Sequence, residues 1–337
     1  MLPVAHGTCK KLMWEALVDV QLLSREMILR NQTSLHEFIL MGFTDLHNLQ
    51  SFLFIVFLSI YVLTLLGNIS IVTIIKITPR LHTPMYFFIG NLSLIDICYS
   101  STIAPKTLVN LVLEIKDISY LGCVVQLYIF VTFAIAECFL LAVMAYDRYV
   151  AICNPLLYLI VMNKRVCFLL VTILYTISLV LSAVHTNNVF SVAFCGPYKI
   201  SSFYCDLLPV LKLSCFDTFI RELVLSSISV IVLLISISGV FLSYIYIIST
   251  ILRIRSSEGR RKAFSTCASH FITVTLFFGT LIFIYVFPSS HYSLNKNRCV
   301  SVVYTMIIPM VNPMIYSLRN NDVKQAVKKI MKKKQSS

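Results

Sequence analysis

The chain has 337 residues, of which 58% are hydrophobic and 13% charged, and its mean hydropathy is +0.84. A soluble domain carries about 25% charged residues, so a soluble globular fold is excluded and a polytopic membrane protein is implied. The net charge of +13 would suit nucleic-acid binding, but the excess of Lys and Arg follows the membrane topology derived below, so no nucleic-acid partner is expected.

Residues 1–26 mix charge with short apolar runs and lack an apolar core followed by a small-residue cleavage site. They are expected to be a disordered extension within an outer tail of residues 1–50, which leaves the first span to act as the insertion signal. Met27-Ile28-Leu29-Arg30 reads as an ordinary beginning, which makes Met27 an expected alternative initiator. Of three sequons, those at Asn68 and Asn91 fall inside spans, so Asn31 is the expected glycan site.

Stretches long enough to cross a bilayer, which takes about 20 apolar residues, fall near 51–75, 85–110, 120–147, 166–188, 219–251, 264–288 and 299–318. Backbones in lipid must close their hydrogen bonds internally. The expected fold is therefore an all-α membrane protein, a seven-transmembrane helix bundle over 51–318. The segments after spans one, three and five, together with the tail, hold 17 of the 28 Lys and Arg, which places the N-terminus outside and the C-terminus in the cytoplasm. In the tail, 319–337, Val323, Ala326, Val327, Ile330 and Met331 recur at helical spacing opposite a lysine-rich face. That pattern predicts a short amphipathic helix lying on anionic lipid.

Asp96 and Glu137 are costly, because carboxylates near mid-bilayer need a polar interior. Asp96 lies eleven residues beyond Met85, and Glu137 eleven before Arg148, so each sits about 16 Å from the inner face at 1.5 Å per residue. With oxygens from Asn68 and Asn312, the two acids form a candidate site for Na⁺ or a shared proton; a neutral hydrogen-bonded pair is the alternative. No other cofactor is implied.

Cys98, Cys138, Cys153, Cys167 and Cys267 lie in or beside spans and read as small buried side chains. Cys123, Cys195, Cys205 and Cys215 lie on the outer side, where disulfides form, and four cysteines allow three pairings. Cys9 and Cys299 are unassigned.

Motifs accumulate in order from Asn31: Glu37-Phe38-Ile39-Leu40, Gly67-Asn68, Leu81-His82-Thr83-Pro84-Met85-Tyr86-Phe87-Phe88, the run Met144 to Cys153 with its Asp147-Arg148-Tyr149, Ser243-Tyr244, Lys262 to His270, and Pro309 to Asn320 with its Asn312-Pro313-Met314-Ile315-Tyr316. Taken together, and over about nine-tenths of the chain, they resemble the olfactory receptors, a branch of the rhodopsin-like G-protein-coupled receptors. The resemblance implies that Asp147 holds Arg148 at rest, that Arg148 turns to a G protein when the sixth helix swings out, and that Tyr149, Tyr244, His270, Asn312, Pro313 and Tyr316 belong to the coupling and switch region. Without the resemblance, Asp147 and Arg148 could simply reach toward the headgroups. It also implies the disulfides Cys123–Cys205 and Cys195–Cys215, with the long outer loop held as a lid. Where the family usually has Phe-Tyr-Gly in span six, this chain has Phe277-Phe278-Gly279 and loses a hydroxyl beneath the expected pocket.

The third-span stretch from Val124 to Ala136 contains no acid, so a neutral, largely apolar small molecule fits better than a protonated amine. Register from the motifs offers Phe130, Val131, Ala134, Ile228, Val232, Leu281, Tyr285 and Thr305 as pocket liners. Span seven has no lysine for a retinal Schiff base, and no metalloprotease, phosphate-loop or nucleophile-elbow motif appears, so neither a light sensor nor an enzyme is expected. The expectation is a plasma-membrane odorant receptor that engages a stimulatory olfactory heterotrimeric G protein, raises cyclic AMP and is carried to the surface with trafficking chaperones. The alternatives are a non-olfactory small-molecule receptor of the same fold, or an ion-coupled transporter or channel lined by Asp96 and Glu137.

Overall fold

A computed structural model describes residues 37–43, 49–113, 116–195, 197–286, 300–318, 323–326 and 328. In chain order its elements are strand β1 (Glu37–Leu40), helix α1 (Gln50–Ile77), α2 (Pro84–Val112), β2 (Asp117–Ser119), α3 (Tyr120–Cys153), the short α4 (Tyr158–Val161), α5 (Lys164–Phe190), β3 (Lys199–Ile200), the short α6 (Leu207–Leu211), α7 (Phe219–Arg253), α8 (Ser257–Val286), and a π-helical turn at Val303–Ile307 that continues into α9 (Ile308–Leu318). Helices α1, α2, α3, α5 and α7 are each long and apolar enough to cross a membrane. Helix α8 also qualifies when its two parts, bent by 41°, are taken as one span, and Val300–Tyr316 is a shorter apolar helix. These seven elements coincide with the seven predicted spans, so the fold is that of a seven-transmembrane, all-α membrane protein. Asn31, Cys9, Cys299 and the Tyr285 side chain lie outside the described residues.

Two boundaries differ from the hydropathy reading. Helix α3 continues past 147 to Cys153, and α8 begins at Ser257 rather than near 264. Hydropathy marks where the bilayer ends, whereas a helix ends at a breaker. For α3 that breaker is Asn154-Pro155, because a residue before proline avoids helical dihedrals. The caps are local: Asn163 Oδ1 accepts from the Arg165 and Val166 amides at 3.0 and 3.1 Å and so starts α5, and Asp217 Oδ1 accepts from Phe219 N at 2.9 Å at the start of α7.

The long helices are divided between two compact units. The first unit comprises Met1–Leu58, Ser101–Ala134 and Thr176–Val230. It contains a feature that hydropathy missed, a three-stranded sheet in the order β2-β1-β3, with β1 antiparallel to β2 and parallel to β3. Residues 37–40 are thus a central strand rather than loose tail. The signal was present as strict alternation: Phe38 and Leu40 are buried while Glu37 and Ile39 face out. The Phe38 ring packs against Tyr120, Phe194 and Tyr198 at centroid distances of 6.0, 5.5 and 6.4 Å.

The second unit comprises Ser59–Ser100, Ile135–Tyr175 and Ile231–Ser337. Its core includes the buried polar groups Asn68, Asp96, Glu137, Asp147, Arg148, His270, Thr273 and Asn312. Gly67 explains how α1 and α9 come so close here, since a Cβ at that position would lie 2.9 Å from Pro313 Cγ.

Candidate functional site

Three polar clusters in the second unit absorb most of the residues singled out from sequence. The first is at the end of α3. Arg148 Nη2 and Nε donate to Asp147 Oδ2 at 2.6 and 3.2 Å, and both residues are buried. The other carboxylate oxygen, Oδ1, accepts from the Tyr158 hydroxyl at 2.8 Å. Sequence reasoning missed Tyr158, because it lies outside the Asp-Arg-Tyr run and only the return of α4 beneath α3 brings it back. Burial, reinforced by the Asp147 carboxylate, pushes the Tyr158 phenol up from its ordinary range. It therefore stays a donor, and Asp147 is held from both sides. Tyr149 points elsewhere, with its ring 5.6 Å from that of Tyr246 on α7.

The second cluster ties three helices together. Tyr244 on α7 contacts His270 Nδ1 on α8 at 2.9 Å, and His270 Nε2 contacts the Leu141 carbonyl of α3 at 3.1 Å. A carbonyl only accepts, so Nε2 carries the proton and Nδ1 is left as an acceptor for the tyrosine hydroxyl. In the neutral ring this sets the tautomer, and the same Tyr244 hydroxyl also donates to the Cys267 carbonyl at 3.3 Å. The rings of Tyr244 and His270 are nearly parallel, 5° apart. Both side chains are buried.

The third cluster surrounds Asp96. Asn312 Nδ2 donates to both Asp96 oxygens at 3.2 Å, and Glu137 lies beside the same carboxylate and amide. Asn68 Nδ2 donates to the Pro309 carbonyl at 3.0 Å. Pro313 has no N–H, so the carbonyl four residues before it would otherwise lack its helical donor, and Asn68 of α1 supplies one. Glu137 Oε1 and Asn68 Oδ1 are buried oxygens without a hydrogen-bond partner. The buried pair Asp96 and Glu137, with Glu137 Oε1 left without a hydrogen-bond partner, has the chemistry to accept a small hard cation or a bridging water. Tyr316, on the same helix, is also buried; its hydroxyl faces Thr273 but closes no hydrogen bond with it.

The first unit carries the outer elements. Cys123 is bonded to Cys205 and Cys195 to Cys215, with Cα–Cα distances of 5.5 and 5.0 Å. Gln126, also missed from sequence, is a two-sided brace: its Nε2 donates to the Thr102 carbonyl at 3.0 Å, and its Oε1 accepts from Cys205 N at 2.9 Å. Tyr204, beside that disulfide, is fully buried and packs its ring 5.1 Å from Phe130. Its hydroxyl donates to Asp206 Oδ2 at 3.2 Å, and Asp206 Oδ1 caps α6 through Leu207 N at 2.8 Å. Burial raises the Asp206 carboxyl above its ordinary range, and these two hydrogen bonds partly offset that.

Among the candidate pocket liners, Phe130 and Val131 are buried, while Ala134 and Ile228 are half-buried in the same unit. Val232, Leu281 and Thr305 belong to the second unit. Thr305 sits in the π-helical turn and is fully buried, its hydroxyl donating to the Ser301 carbonyl at 2.7 Å.

A family model described as olfactory receptor matches residues 57–334. The chain is 52% identical to olfactory receptor 8U3 of Mus musculus, covering 90% of this chain and 95% of that protein. It is 51% identical to olfactory receptor 5I1 of Homo sapiens, covering 91% of this chain and 98% of that one. The chain belongs to the olfactory receptor family. The length and continuity of these matches make this olfactory receptor a multi-pass membrane protein of the G-protein-coupled class, and that family is not one of enzymes.

Proposed function

We propose that this olfactory receptor is an odorant receptor of the plasma membrane, with the N-terminus outside and the tail in the cytoplasm, carried there with the help of trafficking chaperones. The receptor domain spans 51–318, between the outer segment 1–50 and the basic tail 319–337. A small, mostly apolar volatile enters from the outside and binds among Phe130, Val131, Ala134, Ile228, Val232, Leu281, Tyr285 and Thr305, beneath the disulfide-held loop. Ligand that binds the open state better than the resting state shifts the population toward it. Opening frees Arg148 for a stimulatory olfactory-type heterotrimeric G protein, with cyclic AMP as the output.

The observation that carries this reading is the buried Arg148, closed at rest by an Asp147 that Tyr158 also holds. A buried charge stays in place only while it is paired. Separating the pair therefore requires a new partner for Arg148, and a docked G protein supplies one. The bond from Tyr244 through His270 to Leu141 acts in the same direction, because outward movement of α8 must break it. Tyr316, Pro313 and Asn312 form the hinge on the other side.

Na⁺ or a shared proton at Asp96, Glu137, Asn68 and Asn312 would favour this resting arrangement by neutralising two buried carboxylates. The glycan is assigned to Asn31.

The test is cyclic AMP in cells co-expressing the receptor with an olfactory G protein, screened against a broad panel of volatiles, with surface expression measured. A response lost in Arg148→Ala at equal surface expression is expected. Current or substrate flux without any G protein would overturn the reading in favour of a channel or transporter.

A further inference from the structure

The first unit contains a small cavity of about 20 Å³, walled by several separate stretches of the chain. The end of β1 contributes Leu40, Gly42 and Phe43, and Phe203 of the outer loop lies against them. Gly42 permits that close approach, since its φ is +26° and a Cβ there would lie 3.2 Å from the Phe203 Cβ. The polar walls are Gln50, Thr107, Asn110 and Lys116.

Asn110 is buried, yet its Oδ1 has no hydrogen-bond donor among the described residues. Thr107, about one turn earlier on α2, donates its hydroxyl to the Ile103 carbonyl at 3.0 Å, so toward the cavity it can only accept. Lys116 is half-buried, and an ammonium only donates. Two acceptors and a donor therefore border one small space. A chloride there would meet two oxygen lone pairs, and a metal cation would meet the ammonium. A water meets all three in kind, donating twice and accepting once. One water needs a cavity of about 10–15 Å³ and about three polar partners, and this cavity meets both conditions.

We propose that the cavity binds one ordered water, which donates to Asn110 Oδ1 and Thr107 Oγ1, accepts from the Lys116 ammonium, and so ties the outer sheet to α2. The neighbouring contacts agree with that placement. Lys106 Nζ lies 3.9 Å from Asp117 Oδ1. Lys106 and Asn110 are one helical turn apart on the same face of α2, and Lys116 directly precedes Asp117. The start of β2 thus meets that face of α2 twice. The ion pair is 30% and 39% exposed, and a pair so open to solvent contributes little, so the water is the firmer of the two links. Its effect reaches β1, because the Lys116 carbonyl accepts from Leu40 N at 2.9 Å and β1 is the central strand of the sheet. The site does not depend on which molecule the receptor detects.

The test uses the full receptor in nanodiscs and reads two quantities. A cryo-electron microscopy map sharp enough to show ordered water is expected to hold a density peak about 3 Å from both Asn110 Oδ1 and Lys116 Nζ. Those two side chains in direct contact, or no peak between them, would overturn the site. Hydrogen exchange of residues 37–42, followed by mass spectrometry, reads the link to β1. Asn110→Leu removes the acceptor and fills the space, so exchange there is expected to quicken by about fivefold, the worth of one net hydrogen bond. Asn110→Asp keeps the shape and the acceptor and should hold the wild-type rate, which guards against general damage. Were the amide simply orphaned, leucine would relieve a buried unsatisfied group, so unchanged or slower exchange in Asn110→Leu refutes the bound water. Replacing chloride by gluconate is expected to leave the wild-type rate unchanged, and quickened exchange in gluconate would mark the guest as an anion instead.

Discussion

Replacing Asn68 by leucine tests how α1 supports the proline of α9. Asn68 is fully buried and its amide donates at 3.0 Å to the Pro309 carbonyl, the group whose helical donor Pro313 removes. Leucine keeps roughly the same volume but leaves that carbonyl without this donor. A buried acceptor stripped of its partner costs about 1–3 kcal/mol, which at about 2–4 °C per kcal/mol lowers the melting temperature by several degrees. Cys98, Cys138, Cys153, Cys167 and Cys267 are free and buried or half-buried, so a thiol-reactive dye followed during heating of the purified receptor reports unfolding directly. The decisive comparison is a double-mutant cycle with Pro313→Ala. Alanine restores an N–H that can serve Pro309 itself, so Asn68→Leu should cost at least about 1 kcal/mol less in that background. An equal cost in both backgrounds would show that the Asn68 amide does not serve the Pro309 carbonyl.

Tyr158→Phe removes one of the two donors on Asp147. A hydrogen bond to a charged group is worth about 1.5–3 kcal/mol, so agonist-free cyclic AMP per surface receptor is expected to rise, and an unchanged level would separate Tyr158 from the resting lock. Tyr198 has a φ of 40°, a region where asparagine and glycine are favoured and bulky residues are outliers. Because either change also loses the ring contact with Phe38, Tyr198→Asn is expected to be more stable than Tyr198→Ala by about 1 kcal/mol, read by the same dye. Asp206 has its carboxyl raised by burial. A carboxyl with a raised folded pKa gives stability that is complete below its unfolded pKa and is lost as pH rises through the folded value. Acidification from neutrality should thus raise the melting temperature of wild type relative to Asp206→Asn. Parallel curves for the two would refute that assignment.

The sequence by itself determined the parts of this receptor that the bilayer dictates. Seven apolar stretches had to be helices because lipid offers backbone groups no partner, and the spacing from Met85 to Asp96 and from Glu137 to Arg148 put two acids at one depth because the helical rise is fixed. The string from Glu37 to Leu40 was noticed as a motif, yet its role as a central strand depends on partners at 117–119 and 199–200, which no local pattern names. The same limit hid Tyr158 and Gln126. Asp147 is met by a tyrosine eleven residues away across a turn, and Gln126 joins a carbonyl of α2 to an amide 79 residues further along the chain. A proline's missing N–H can be read from sequence, but the donor that replaces it is 241 residues away on another helix. Which polar group meets which is decided only when helices approach, and Gly67 is what allows α1 to approach Pro313 closely enough for Asn68 to reach.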